Sequence, residues 1–532
     1  MNRTRTIPHT LYLLSSIRKY RSRKPVTVRR RIPVPMLCFV VQGTGVLTLN
    51  ESVHSIGPLQ LFYLPPGTFV EAAAKSGSLE YYLIVIDART AIKRKGYWQV
   101  AGSAELHPLL SRGHVPIGDG KQAHRRIEEL YDSLTLRSGT WPADPDRQLQ
   151  SLIDFIIRDL AAKQEASRAD DAGIDRCIAY MRHYFHEKIT RNTLADIAKL
   201  TPNAFCRSFK RKTGLSPTDF LNRIRIDHAK LLLSPGSTVK DVASAVGYSS
   251  EYYFSRIFKE FVGLPPTLFI KRERLKVAIA SRWGLQDNLS SMGLEAVAAV
   301  DCYKYPGIGE AEHGLRILAQ LEQLRLAAPD LIIGDYAHLA YYDEFKQIAP
   351  TVILEHTLDW RATHLKIAEL VGREREAIQT FHQLDESIDE ARNRLNRANG
   401  TKTVTIMQVI PGLLRIQGTI HHPLNELIYK ELGLLPGRSV PRNKMRDEWQ
   451  PEELTAVETD QLFTITFGNR NEAEALVSKL QLIPETPLSP ASRQPGPLFV
   501  PNWLIMSWTP GGRRRIIEQV VEALATPHPA RN

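Results

Sequence analysis

The spacing of hydrophobic positions changes several times along the chain. Residues 36–87 hold short apolar runs punctuated by Gly and Pro (MLCFVVQ, GVLTLN, HSIGPLQLFYLPPG, YYLIVID), which predict strands. Residues 121–165 move to helical spacing, with Leu149, Leu152, Ile153 and Ile156 on one stripe. The polar stretch QEASRADDAG (164–173) then reads as a linker. From Trp283 onward, buried-strand patterns alternate with amphipathic helices, which marks an α/β region. Its predicted strands include AVAAV, APDLIIGD, QIAPTVIL, TVTIMQV, LLRIQG and DQLFTITFG. One long polar helix is expected over 364–399, about 52 Å from end to end, joining two such lobes. Further helices are expected at 423–432 and 513–524.

Between the strand-rich and α/β regions one device occurs twice. TRNTLADIAKLTPNAFCRSFKRKTG and TVKDVASAVGYSSEYYFSRIFKEFVG each open a short helix on a threonine, Thr190 or Thr238. Apolar residues follow at Ala195 and Ala198, or Ala243 and Val246, then a turn and a second helix. In the second helices Phe205, Ser208 and Phe209 correspond to Phe254, Ile257 and Phe258. The opposite face carries Asn203, Arg207 and Lys210 in one copy and Tyr252, Arg256 and Lys259 in the other, 49 positions apart. An apolar face that docks, backed by long cationic donors, is what a recognition helix in a major groove requires. The segment between them, 216–233, is expected as one helix with Phe220, Ile224 and Leu231 apolar, a rod of about 27 Å.

On FCRSFKRKTGLSP, AxxVGY, YFSRIFKEFVG and the closing PP, the segment 190–272 resembles the DNA-binding domain of the AraC/XylS family of bacterial transcription regulators. The resemblance implies base contacts from Asn203, Cys206, Arg207, Tyr252 and Arg256, and phosphate contacts from Lys210, Arg211 and Lys259. Cys206 departs from the polar residue often met at its position. QGTGVLTLN followed by LQLFYLPPG is similar to the cupin-like β-barrel that precedes this domain in many such regulators. The 121–165 stripe then implies pairing of two protomers, with burial against the chain's own barrel the alternative.

PDLIIGD, YYDEFKQIAPTVIL, the pair Asp359-Trp360, LVGREREA and GGRRRIIEQVVEAL resemble the periplasmic-binding-protein fold of iron-siderophore and cobalamin uptake. Ligands of open α/β sheets meet the carboxyl ends of strands. Those ends point to Tyr336, His338, Trp360, Arg361, Arg415, Gln417, Asn469 and Arg470, with Asp335 and Trp508 beside them. Arginines and aromatic rings at that edge suit a ferric catecholate, a large aromatic trianion. The fold expected is therefore multidomain: a cupin-like barrel (1–165), an all-α tandem helix-turn-helix domain (172–274) and a bilobal α/β binding-protein fold (283–528) with a long interlobe helix.

Composition narrows the class further. The 532 residues are 43% hydrophobic and 24% charged, ordinary for a globular protein, and suffice for several cores. A net charge of +12 suits a polyanionic partner. Much of it lies in the helix-turn-helix region and in residues 1–33, which read as a basic arm or a solvated tail. Four scattered cysteines lack metal-ligand spacing, and His54 stands alone in the barrel stretch, so no metal site or cofactor is expected. No GxSxG, HExxH or phosphate loop is present, which argues against an enzyme. No signal peptide or membrane span is apparent, and a cytoplasmic location is expected. The reading is a siderophore-sensing regulator, an activator of uptake genes, with double-stranded DNA, a ferric siderophore and RNA polymerase as partners. Cobalamin, haem or a sugar is the alternative ligand.

Overall fold

The computed structural model describes residues 9–22, 27–50, 52–74, 79–94, 97–103, 106–135, 144–305, 307–399, 402–485 and 496–525. Two compact units emerge: Met1–His183 with Ile189–Pro217, and Tyr184–Lys188 with Thr218–Asn532.

The first unit begins with β1 (His9–Ser22), β2 (Thr27–Arg31), β3 (Met36–Gln42), β4 (Gly45–Leu49), β5 (Ser52–Ile56), β6 (Gln60–Leu64), β7 (Phe69–Ala74), β8 (Leu79–Arg94), β9 (Tyr97–Ser103) and β10 (Gly113–Val115). They form two antiparallel sheets, β1-β8-β3-β6-β10 with β9 beside β8, and β2-β7-β4-β5. Among the described residues no pairing joins the two sheets, so the expected closed barrel appears here as two open sheets. Leu37 and Phe39 of β3 pack toward helices α1 (Gly120–Thr135) and α2 (Pro145–His183), whereas Met36 and Val40 join the core with the second sheet. A strand covered on both faces needs apolar side chains at every position, which is why these strands read as unbroken apolar runs.

Three expectations change in this unit. Of the expected arm 1–33, the described residues 9–22 and 27–31 are strands β1 and β2, and residues 1–8 and 23–26 lie outside the described residues. Tyr12 is buried, while Lys19 and Arg21 pair with Glu80 of β8 at 3.0 and 2.8 Å, so the basic positions that hid the period are an outward row. The expected linker 164–173 is the middle of the 39-residue α2. Gly173 lets that helix approach its neighbour, because a Cβ there would stand 2.8 Å from Ala198 O. The stripe Leu149, Leu152, Ile153 and Ile156 is spent on the unit's own sheet, and so is not free to pair protomers. Helices α3 (Arg191–Ala198) and α4 (Pro202–Thr213) complete the unit.

The second unit opens with α5 (Pro217–Leu232), α6 (Val239–Ala245), α7 (Glu251–Val262) and α8 (Pro266–Phe269). On α5 the buried side is Leu221, Ile226 and Ala229, one position round from the expected face, and Leu231 is 81% exposed. Next comes a lobe of β11 (Val277–Ala280), α9 (Gln286–Ser290), β12 (Ala298–Val300), α10 (Glu310–Ala327), β13 (Leu331–Gly334), α11 (Tyr342–Lys346), β14 (Thr351–Ile353) and α12 (Trp360–Val371). Its sheet is parallel, in the order β12-β11-β13-β14. The central strand β11 precedes the predicted start of the region at Trp283.

The expected helix over 364–399 is two helices, broken at Gly372, which takes φ +67° as the left-handed cap of α12. After it α13 (Glu374–Asn399) leads to the other lobe, with β15 (Thr403–Ile410), β16 (Leu413–Gln417), α14 (Pro423–Asn425), β17 (Leu435–Pro436), β18 (Arg446–Trp449), β19 (Ala456–Glu458), β20 (Gln461–Thr466), α15 (Arg470–Val477), β21 (Gln481–Ile483), β22 (Leu498–Val500), α16 (Trp503–Met506) and α17 (Pro510–Ala525). Its main sheet runs β18-β16-β15-β20-β22, and α17 packs on α13 over a core containing Trp503, Phe463 and Ile516.

Candidate DNA-reading helices and ligand cleft

Each helix-turn-helix is fixed by its caps. In the first unit Thr190 Oγ1 accepts from Thr193 N at 3.1 Å to start α3. Thr201 caps α4, Pro202 stands at its first helical position, and Gly214 closes it at φ +76°. Phe205, Ser208 and Phe209 are buried, and Ser208 Oγ donates to Asp170 of α2 at 3.2 Å. Lys212 pairs with Asp175 of the same helix at 2.6 Å, which holds α4 on its support. Asn203, Arg207, Lys210 and Arg211 face solvent and Cys206 is half-buried; Arg211 stands 3.9 Å from Asp171.

In the second unit the pattern repeats. Thr238 caps α6 through Asp241 N at 3.1 Å, Ser250 caps α7 through Tyr253 N, and Gly263 closes α7 at φ +96°. Phe254, Ile257, Phe258 and Val262 are buried, whereas Tyr252 is 90% exposed. Arg256 and Lys259 are exposed, the Arg256 guanidinium 5.2 Å from the Tyr253 ring. Among the described residues Arg207, Lys210, Arg256 and Lys259 make no ion pair, so their charge is uncompensated and available to phosphates or base edges.

The second candidate site lies at the carboxyl edge of the parallel sheet. Beyond β11 stand Ser281, Arg282 and Trp283; beyond β12, Asp301, Tyr303 and Tyr305; beyond β13, Asp335 and Tyr336. The Arg282 guanidinium lies 4.0 Å from the Tyr303 ring and 4.8 Å from that of Trp283. Asp335 fixes this turn. One of its oxygens accepts from Ser281 Oγ and Arg282 N, both at 2.9 Å, and the other from Ala337 N at 3.0 Å. Tyr305 donates to Asp301 at 2.7 Å, and burial with that carboxylate pushes its pKa up to about 12.

His338 lies beneath, fully buried, with Nδ1 2.7 Å from Asp335 and Nε2 3.0 Å from Cys302 N. Burial favours a neutral ring, but the carboxylates of Asp301 and Asp335 outweigh it and raise the pKa to about 8. Against that, the Cys302 N–H can only donate, so its contact with Nε2 belongs to the neutral ring with the proton on Nδ1, and protonation must break it. From the other lobe, Trp508 comes within 5.4 Å of Trp283, and His422 within 5.7 Å of Trp508. Arg282 Nε and Trp508 Nε1 are buried without a partner among the described residues, and such donors call for a ligand or water acceptor.

The expected ligand residues separate. Tyr336 and His338 belong to this constellation; Tyr336 is 41% exposed, its ring 4.4 Å from that of His356. Trp360 is turned into the core under the Arg513 guanidinium at 4.5 Å. Arg361 pairs with Asp385 at 2.5 Å and Arg415 with Glu448 at 2.9 Å. Gln417 is buried in its sheet, Asn469 caps α15 through Asn471 N at 2.9 Å, and Arg470 pairs with Glu474 at 2.8 Å. Sequence reasoning missed Arg282, Trp283, Tyr303, Tyr305 and His422. The available signal was Ser-Arg-Trp directly after the four-residue apolar run VAIA. Among the described residues no group of three or more His, Cys, Asp or Glu is placed to hold a metal ion, and no helix is long and apolar enough to cross a membrane.

Comparison with known proteins agrees with this division. Residues 194–272 match a helix-turn-helix domain family and residues 296–414 a periplasmic binding protein family. The HTH-type transcriptional activator Btr of Bacillus subtilis is 26% identical over 387 residues, 69% of this chain and 71% of that one. The MmsAB operon regulatory protein of Pseudomonas aeruginosa is 34% identical over 239 residues, 43% of this chain and 72% of the relative. Among solved structures, a FhuD fold-family periplasmic binding protein component of a Fep/Fec-like ferrichrome ABC transporter from Bacillus subtilis aligns at TM-score 0.38 and 19% identity, over 48% of this chain and 96% of that one. Capped reading helices in one chain with a binding-protein domain define a DNA-binding transcription regulator, not an enzyme. The chain belongs to the AraC/XylS family of transcription regulators.

Proposed function

We propose that this chain is a transcription activator that senses a ferric siderophore in the cleft between its two C-terminal lobes. The observation that carries this reading is Arg282, a cation stacked among Trp283 and Tyr303 whose Nε lacks a partner among the described residues. A bulky aromatic anion would accept from that nitrogen and lie against the same rings. Arg316, 5.6 Å from the Tyr305 ring, pairs with Asp301 at 3.6 Å and so offsets that carboxylate at the same edge. In this reading Arg207 and Arg256 read bases, Lys210 and Lys259 hold phosphates, and the N-terminal double sheet is a cupin-like sensor module. The domains are 1–165, 172–274 and the binding-protein fold, whose start moves back from 283 to take in β11 at Val277. Promoter DNA of iron-uptake genes and RNA polymerase are the macromolecular partners, which puts the protein inside the cell.

Titration of the full chain with a ferric tris-catecholate, followed by tryptophan emission from Trp283 and Trp508, tests the ligand. Saturable quenching is expected, with an affinity at least about tenfold weaker for Arg282→Ala, a loss near 1.4 kcal/mol. Equal affinity in wild type and variant, or a response to haem, cobalamin or a sugar in place of ferric chelates, would refute it.

A further inference from the structure

Helix α12, about 18 Å long, has different neighbours at its two ends. Its first turns meet the boundary between the lobes. Trp360 lies under Arg513, which is fully buried and bonded to Glu431 at 2.5 Å in the second lobe. His364 Nδ1 sits 2.8 Å from Asn288 Oδ1 of α9, the short helix that follows Arg282 and Trp283. Its neighbour Asp287 accepts from Gly512 N of α17 at 3.1 Å. The start of α12 is thus tied to the cleft edge and to both lobes.

The second half of α12 holds the second reading head. Lys366 Nζ donates to Val262 O, at the carbonyl end of α7, at 2.8 Å and to Glu369 at 2.7 Å. Glu369 also pairs with Lys230 of α5 at 2.5 Å. Burial would raise the Glu369 pKa, but the two lysines outweigh it and hold the carboxyl below its ordinary value. At the rim Arg272 pairs with Glu374 at 2.7 Å. Apolar contact closes the joint: a Cβ on Gly263 would stand 3.2 Å from Val352 and 3.7 Å from Leu370.

We infer that α12 is the element through which the cleft and the second recognition helix bias one another. A shift of α17 against α9 as the lobes move displaces Trp360 and His364. The stiff helix carries that displacement to the carbonyl end of α7. This rests on the DNA-binding assignment and, for its effector, on the ligand reading above. Coupling between sites is reciprocal, so DNA must alter the lobe boundary as ligand alters DNA affinity.

That reciprocity gives a test on the full chain that needs no ligand. Hydrogen exchange is followed over residues 286–291 and 360–366, with and without a duplex selected by the wild-type chain from a random pool. Wild type should show exchange at both segments changed by at least about threefold on binding the duplex, with the change lost in Lys366→Met although the duplex still binds. Glu374→Gln, which cuts only the rim pair, should halve the effect, and decides the matter if Lys366→Met fails to fold. Lys346→Met, on the same lobe and away from the joint, should behave as wild type. An unchanged lobe boundary in wild type, or an undiminished response in the joint variants, overturns the inference. A ferric tris-catecholate that leaves tryptophan emission unchanged overturns the ligand reading alone, since the exchange result still decides the joint.

Discussion

At the scale of single residues, the two reading helices present equivalent side chains to solvent, and their loss should be felt in kind. Arg207→Ala and Arg256→Ala should each weaken binding to a selected duplex by about 1–3 kcal/mol and relax preference at separate positions, read by fluorescence anisotropy on single-base variants. Lys210→Ala should weaken all sequences alike and reduce the slope of log affinity against log salt by about one. These residues were legible because helical periodicity fixes a face, and Phe205 and Phe209 name the opposite one. The candidate ligand site was less legible. Strand ends can be placed from sequence, but the direction in which a side chain turns there depends on its neighbours. Trp360 turns inward because a buried guanidinium waits for its ring, and Gln417 stays within its sheet. Arg282 was overlooked because the strand before it, Val277–Ala280, is only four residues long.

At the scale of elements, polar residues misled wherever a helix or strand had a wet side. The middle of α2 looked like a linker because its outward face is acidic and basic by turns, and β1 looked like an arm because Lys19 and Arg21 stand in its outward row. The opposite error occurred at 364–399, where unbroken amphipathicity concealed a stop. Gly372 ends α12 with its N–H donating to Ala368 O, and a Cβ added there would stand 2.6 Å from Glu273 Cγ. Gly372→Ala should therefore cost about 1–2 kcal/mol, seen as a lower urea midpoint with an unchanged slope. The tandem helix-turn-helix and the alternation of strands and helices were correctly legible, since both are repeats of period and not of composition.

At the scale of the molecule, two buried histidines contribute to its response to acid. Burial lowers the pKa of His364 and of His422 to about 4, against an ordinary value of 6.5. Between those values the unfolded chain binds more protons than the folded one, so stability rises with pH and is lost as pH falls from about 6.5 toward 4. Each site should contribute roughly 1.4 kcal/mol per pH unit inside that window. Thermal melts at stepped pH should show the midpoint falling through it, less steeply in His422→Asn. The joint between the parallel-sheet lobe and the second helix-turn-helix also bears on how the protein can be dissected. Leu264 stands just past α7 in sequence, yet its side chain lies in one apolar core with Val277, Ile279 and Leu331 of the lobe. Cutting the gene after Arg274 would give one product a greasy plug and the other an empty socket, so neither severed half should stay tidy in solution without its mate.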